Sequence, residues 1–165
     1  MDDNGTPKYV SERGTADDLK KDIAGSDKRY GFTLPPERAD TQGSSMAAVF
    51  ESPADLLAHH TIHDIGQTGW DGFRLSLGGT GPKALINFLE YHPCIKRISF
   101  CLDNDSPGIE AAKRIIDELL RDSRFSHLKI NIAPPPIGTD YADTVKAMQE
   151  MNIQKATSRQ HQAAF

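Results

Sequence analysis

An apolar run that ends on a carboxylate and passes straight into a helix start occurs twice in this chain of 165 residues. The sharper copy is Ile98-Ser99-Phe100-Cys101-Leu102, followed by Asp103-Asn104-Asp105-Ser106-Pro107-Gly108. The run reads as a buried strand. Ile109, Ala112, Ile116 and Leu119 then share one helical face, with Ser106 expected as N-cap and Pro107 at the first helical position. The other copy is Ala47-Ala48-Val49-Phe50, then Glu51, then Ser52-Pro53-Ala54-Asp55. Here Ser52 is the cap, Pro53 the first helical residue, and Asp55 stands three after the cap. Parallel neighbours need a crossover, usually a helix, so repeated strand–helix units drive a chain toward a parallel sheet.

Two more units complete the alternation. Gly72 to Leu77 reads as a strand and Gly78-Gly79-Thr80-Gly81 as a tight turn. Pro82 opens a helix with Leu85, Phe88 and Leu89 on one face, and Pro93 closes it. Leu128 to Ile132 alternates apolar and polar, as an edge-like strand does. Gly138-Thr139-Asp140 leads into a last helix carrying Val145 and Met148. The expected fold is α/β and Rossmann-like, with about four mainly parallel strands flanked by helices. Residues 1–45 form a small N-terminal extension with one short strand near Tyr30 to Leu34, residues 46–153 the α/β domain, and residues 154–165 a disordered tail.

Composition bounds the partners. The net charge is −4, a poor match to a phosphate backbone, whose non-specific affinity comes from Lys and Arg. A chain like this meets DNA or RNA locally, through metal ions, or beside a basic partner domain. No run is long enough to span a bilayer, and Met1-Asp2-Asp3-Asn4 does not open a signal peptide. Cys94 and Cys101 make no metal or redox spacing, which with the missing signal pattern gives a cytoplasmic expectation and no membrane partner.

Right-handed crossovers put all the strand carboxyl ends on one edge. Glu51, Gly78, Gly79, Asp103 and Asp140 would gather there. Converging carboxylates repel unless a cation sits among them. Oxygen-only ligands suit Mg²⁺ or Mn²⁺, with positions left for a substrate phosphate. Such an ion clamps phosphoryl oxygens in strand cleavage or nucleotidyl transfer. Glu51 serves as general acid or base, or as a further ligand. Asp105 and Asp55 each have a plainer reading, as helix-start residues favoured by the macrodipole. His59 and His63 have the four-residue spacing of zinc ligands on a helix, but no third ligand is evident. Lys28 and Arg29, with Tyr30 and Phe32, have the composition of a nucleic-acid contact or of a solvated hairpin.

The segments Phe50 to Leu57, Leu75 to Gly79 and Leu102 to Gly108 together resemble the Toprim domain. Primases of the DnaG type, type IA and type II topoisomerases, OLD-family nucleases and RecR proteins share it. The resemblance implies that Glu51 is the acid/base, that Asp103 and Asp105 bind metal with Glu51 as a further ligand, and that Gly108 is the glycine after the acidic pair. It is nearest to Toprim-containing proteins of conjugative and mobile elements. Those carry a Gly-Lys-Asp-Trp-Asn-like segment where this chain has Gly138-Thr139-Asp140-Tyr141-Ala142. Tyr9 to Phe32 resembles the end of the domain that precedes Toprim there.

The implied activity is Mg²⁺- or Mn²⁺-dependent phosphoryl or nucleotidyl transfer on DNA or RNA. Its role would be primase-like or nicking, in replication or transfer of a mobile element. Implied partners are nucleic acid, nucleoside triphosphates, and other domains or subunits of a replication assembly. Two further readings stay open. One is a non-catalytic module that binds metal, nucleic acid or a partner protein. The other is a phosphatase of the haloacid dehalogenase type, which also sets a DxD after a strand, though normally the first.

Overall fold

The computed structural model describes residues 4–14, 16, 19–37, 44–66 and 68–162. A short antiparallel hairpin comes first, β1 (Ser11–Arg13) with β2 (Lys20–Asp22). The remaining strands are β3 (Thr33–Leu34), β4 (Met46–Phe50), β5 (Phe73–Ser76), β6 (Arg97–Phe100) and β7 (Lys129–Ile132). They form one five-stranded sheet in the order β3-β5-β4-β6-β7. All its pairings are parallel except that of β3 with β5. The α/β architecture anticipated from the strand–helix alternation is therefore present, with an antiparallel edge added by the segment ahead of residue 46.

Four α-helices cover the sheet: α1 (Pro53–Ile65), α2 (Lys83–Tyr91), α3 (Ser106–Arg121) and α4 (Tyr141–Gln162). The period-2 alternation of strand side chains sorts the core into two layers. Ala47, Val49, Ile98 and Phe100 pack on one face with Leu85, Phe88, Ile115 and Leu119 of α2 and α3. Ala48, Phe50 and Cys101 pack on the other with Leu56 of α1 and Tyr141 of α4. Cys101 is buried and its thiol pKa is pushed up to about 12 by that burial, so it behaves as a small hydrophobe. Among the described residues, no helix is long and apolar enough to cross a membrane.

One expectation needs correction. Ser106 does not cap α3. Asp105 does, its backbone extended and its Oδ1 accepting from the Gly108 amide at 2.8 Å, and Ser106 is the first helical residue. A carboxylate reaches the amide three residues on and also suits the positive end of the macrodipole. The backbone of α4 runs on as helix through the polar segment as far as Gln162, where Gln, Lys and Ala are good helix formers.

Topology fixes where a ligand fits. From β4 the chain leaves through α1 onto one face of the sheet, and from the adjacent β6 it leaves through α3 onto the other. The gap between the carboxyl ends of β4 and β6 is thus a topological switch point, where open α/β sheets bind ligands. Glu51 follows β4 and Asp103 follows β6, one on each side of that gap.

Candidate functional site

Each loop at this edge is held by its own hydrogen bonds. Ser52 caps α1, accepting from the Asp55 amide and donating to the Asp55 carboxylate. The Gly79 amide donates to the Glu51 carbonyl at 2.9 Å, which ties the glycine turn after β5 to the end of β4. The Asn104 amide donates to the Thr139 carbonyl at 2.7 Å and so brings Asp140 to the Asp103 loop. Asp140 Oδ1 accepts from the Asp143 amide at 2.7 Å, and Asp143 Oδ2 accepts from the Thr139 amide at 3.1 Å. This reciprocal pair opens α4 in the manner of a capping box.

The result is a cleft of about 530 Å³ whose lining includes Glu51, Asp55, Gly78, Gly79, Asp103 and Asp140. Asp105 and Gly108 stand behind it at the start of α3. The carboxylates divide by what their oxygens already do. Asp105 and Asp140 each hold a helix amide, and Asp55 holds the Ser52 hydroxyl. Asp103 shows no such bond among the described residues, and Glu51 is met by the Asp103 backbone amide while one of its oxygens stays unpartnered. Glu51 Oε1 is buried without a hydrogen-bond partner, the kind of atom that costs free energy unless a ligand or ion meets it. Gly108 lets α3 approach this atom: a Cβ there would lie 2.9 Å from Glu51 Oε1 and 2.2 Å from the Asp103 carbonyl.

Electrostatics raises the pKa of three of these acids, Asp103 most clearly. The Asp103 pKa is pushed up to about 7, first by burial and then by the charges of Glu51, Asp55, Asp140 and Asp105. Glu51 is raised by burial and by Asp105, against a lowering contribution from the Asp103 backbone amide. Burial raises Asp55 as well, with the Ser52 hydroxyl opposing it. These are acids that prefer a proton or a cation beside them.

A hard divalent ion fits this donor set, which is all oxygen. Among the described residues, no three acidic, histidine or cysteine side chains come together to cage an ion. Mg²⁺ does not require that, because it commonly takes one or two carboxylates and keeps water at its other positions. His59 does not serve as a ligand here: its Nδ1 accepts from Arg74 Nε at 3.2 Å, and its ring packs against His63, Trp70 and Tyr141.

The opposite wall of the cleft comes from the β1–β2 hairpin, which the sequence reading left without structure. Arg13, Lys20 and Lys21 line it. Lys21 pairs with Glu12 at 2.9 Å. Arg13 and Lys20 are directly opposite each other in register and form no salt bridge among the described residues. Two like charges facing across a strand pair destabilise it, so an anion between them would offset a standing cost. The only hint in the sequence was that Arg13-Gly14 and Lys20-Lys21 flank a short polar stretch. A strap fastens the hairpin over the site. Tyr9 donates to Asp22 Oδ1 at 2.8 Å, Lys28 Nζ lies 2.6 Å from Asp22 Oδ2, and Lys28 Nζ donates to the Gly78 carbonyl at 2.9 Å. Gly78 has φ +64°, and a side chain there would collide with the Tyr9 ring.

A family model for Toprim-like domains matches residues 48–145. No curated protein matches the chain. Among solved structures, the primase fragment of the bacteriophage T7 primase–helicase superposes with a TM-score of 0.58 at 15% identity, over 94% of this chain and 59% of that one. A second likeness is to a chain in the T7 lagging-strand DNA polymerase structure, in which the polymerase interacts with primase domains of two gp4 subunits bound to an RNA/DNA hybrid and dTTP. Its TM-score is 0.55 at 14% identity, covering 88% of this chain and 68% of that one. At such identities the likeness is one of fold, and this chain spans about 59% of the T7 primase fragment. The family match takes in β4 to the start of α4, with Glu51, Asp103, Asp105, Gly108 and Asp140 inside it, and covers more than half of the sequence: the chain belongs to the Toprim-like family.

Proposed function

We propose that the cleft binds a divalent cation and the phosphates of a nucleic acid or nucleoside triphosphate, and that it performs phosphoryl or nucleotidyl transfer. The carrying observation is that Glu51, whose Oε1 is buried without a hydrogen-bond partner, and Asp103 share one cleft with Arg13 and Lys20, which form no salt bridge among the described residues. In this reading Asp103 holds Mg²⁺ or Mn²⁺, joined by Asp105 through the oxygen not spent on the Gly108 amide. Glu51 is placed to ligate as well or to act as the acid or base. When bound, the ion would neutralise phosphoryl oxygens as charge develops on them. Arg13 and Lys20 draw the phosphates in and hold them from the other wall. Glu51, its pKa raised by burial, is placed to give a proton to a leaving 3′-oxygen or to take one from an attacking hydroxyl.

The setting is priming or nicking of DNA during replication or transfer of a mobile element. The resemblance of Tyr9 to Phe32 and Phe50 to Gly108 to proteins of such elements supports it. Calorimetric titration of Mg²⁺ and Mn²⁺ into the wild type and Asp103→Asn tests the site. Heat of binding in the wild type and none in the variant is the expected result, and primer-synthesis and nicking assays then follow. Absence of binding by the wild type would overturn the proposal.

A second reading is a non-catalytic Toprim module within a larger replication assembly. The lack of three converging ligands among the described residues favours it. Metal uptake without priming or nicking, by the chain alone and with its partner domains, would decide for it.

A further inference from the structure

A groove beside the C-terminal end of α2 holds chemistry that the cleft does not use. It measures about 520 Å³, and its walls include Tyr9, Tyr30, Phe32, Tyr91, His92 and Arg29. Phe32 is 41% and Tyr91 59% exposed, so two large rings face water there instead of core. Rings left in solvent contribute little to folding, and clustered ones mark a binding surface. Burial lowers the His92 pKa, so near neutral pH this residue adds a flat uncharged ring. Arg29 is fixed by its carboxylate neighbour Asp27 and lies over the Tyr30 ring at 6.0 Å.

Two further features say what would lie in such a groove. It shares Arg29 and Asn87 with a neighbouring depression lined by Lys28 and Lys83 together with Asp27 and Glu90, so Lys83 adds a cation beside the aromatic wall within a rim of both signs. Tyr9 lines both this groove and the carboxylate cleft, so the two adjoin at that ring. Every nucleobase has a flat face that stacks on an aromatic ring, while Lys and Arg follow the phosphates. A duplex keeps its bases stacked inside and cannot offer those faces.

We infer that the groove seats unpaired bases of a single-stranded nucleic acid, whose backbone leads past Tyr9 into the carboxylate cleft. The inference rests on the function proposed for that cleft. It makes the chain a single-strand reader with little preference for sequence, held at one end by stacking and at the other by phosphate contacts.

Fluorescence anisotropy with a fluorescein-labelled single-stranded DNA and the full chain tests it. The proteins are the wild type, Tyr91→Ala, Tyr91→Phe and the double variant Phe32→Ala/Tyr91→Ala. The probes are a mixed-base strand, an abasic strand of the same length, and a duplex. Removing one stacking ring should weaken Kd about tenfold, with a larger loss in the double variant and none in Tyr91→Phe. The abasic strand and the duplex should bind the wild type as weakly as the mixed-base strand binds the double variant. Equal affinity of wild type and double variant, equal affinity for abasic and mixed-base strands, or no binding by the wild type would each overturn the inference. Both rings are exposed, and a circular dichroism melt of each variant checks that the fold is intact. Mg²⁺ titration of the same proteins separates the two ideas. Groove variants that bind strand and metal like the wild type refute the groove alone, whereas Asp103→Asn with undiminished metal affinity refutes the cleft reading alone.

Discussion

Gly108 stands so close to Glu51 that a Cβ at residue 108 would lie 2.9 Å from Oε1 and 2.2 Å from the Asp103 carbonyl oxygen. The start of α3 is therefore pressed against the Glu51 carboxylate and the Asp103 backbone, and the absence of a side chain at residue 108 leaves room for both. The glycine reads as a space requirement, because α3 itself would favour alanine there by about 1 kcal/mol.

Replacing Gly108 by Ala should cost more than that propensity returns. The clash is with backbone, which cannot swing aside, so α3 must shift at a cost of about 1–3 kcal/mol, the usual penalty of overpacking. Urea denaturation should show a lower midpoint with an unchanged slope. Mg²⁺ affinity should fall with it, because the shift moves Asp103 and Asp105 relative to Glu51. A variant as stable as the wild type, with wild-type metal affinity, would show that the approach of α3 has no bearing on the site.

The raised Asp103 pKa makes a prediction about pH in metal-free protein. Its ordinary value is 3.8 and its folded value about 7. Between those values the folded state binds more protons than the unfolded state, so stability falls as pH rises through the window and levels off above it. Asp103→Asn removes the dependence and should melt higher than the wild type at pH 8 in EDTA. Excess Mg²⁺ should restore the wild type at pH 8 and leave the variant unmoved. The comparison must be between these two proteins, since His59 works in the opposite sense. Its pKa drops from 6.5 to about 3 by burial and the neighbouring positive charges, so its contribution is lost as pH falls below 6.5, and it is present equally in both. Thermal melts at pH steps from 4 to 8 would show parallel curves for the two proteins if Asp103 titrated normally.

What was legible in the sequence was what local pattern fixes. The runs ending at Phe50 and Leu102 are largely apolar because β4 and β6 are central strands, β4 buried along nearly its whole length and β6 at Ile98 and Phe100, and their helix starts are marked by Ser52, Pro53 and Pro107. From those runs the placement of Glu51 and Asp103 on one edge followed. The division of labour among the carboxylates did not follow. Asp103 and Asp105 look alike in sequence, yet only the backbone angles at residue 105 turn one of them into a cap. The hairpin was not legible either. β1 and β2 are short and polar, with no apolar face to give a period, and their position depends on the long-range strap from Asp22 and Lys28 to Gly78. β3 was readable as a short strand but not as an antiparallel edge, since a partner strand about forty residues away leaves no mark on two residues.

The facing cations of the hairpin give the last prediction. Arg13 and Lys20 are register partners across β1 and β2, and neither has a salt bridge among the described residues. Lys20→Glu would turn a repelling pair into an attracting one, a gain of about 0.2–1 kcal/mol for the hairpin. The same change places a negative charge against the carboxylate side of the cleft. A protein that uses the hairpin only as structure should therefore become slightly more stable and otherwise unchanged. A protein that uses it to hold phosphates should keep or gain stability and lose affinity for tripolyphosphate in the presence of Mg²⁺ by tenfold or more. The salt dependence of that binding should also weaken, because fewer cations contribute to it. Calorimetric titration of tripolyphosphate at two salt concentrations, beside a thermal melt, reads both quantities on one sample. Wild-type affinity in Lys20→Glu would remove the hairpin from the site and leave phosphate binding to the carboxylate-bound cation alone.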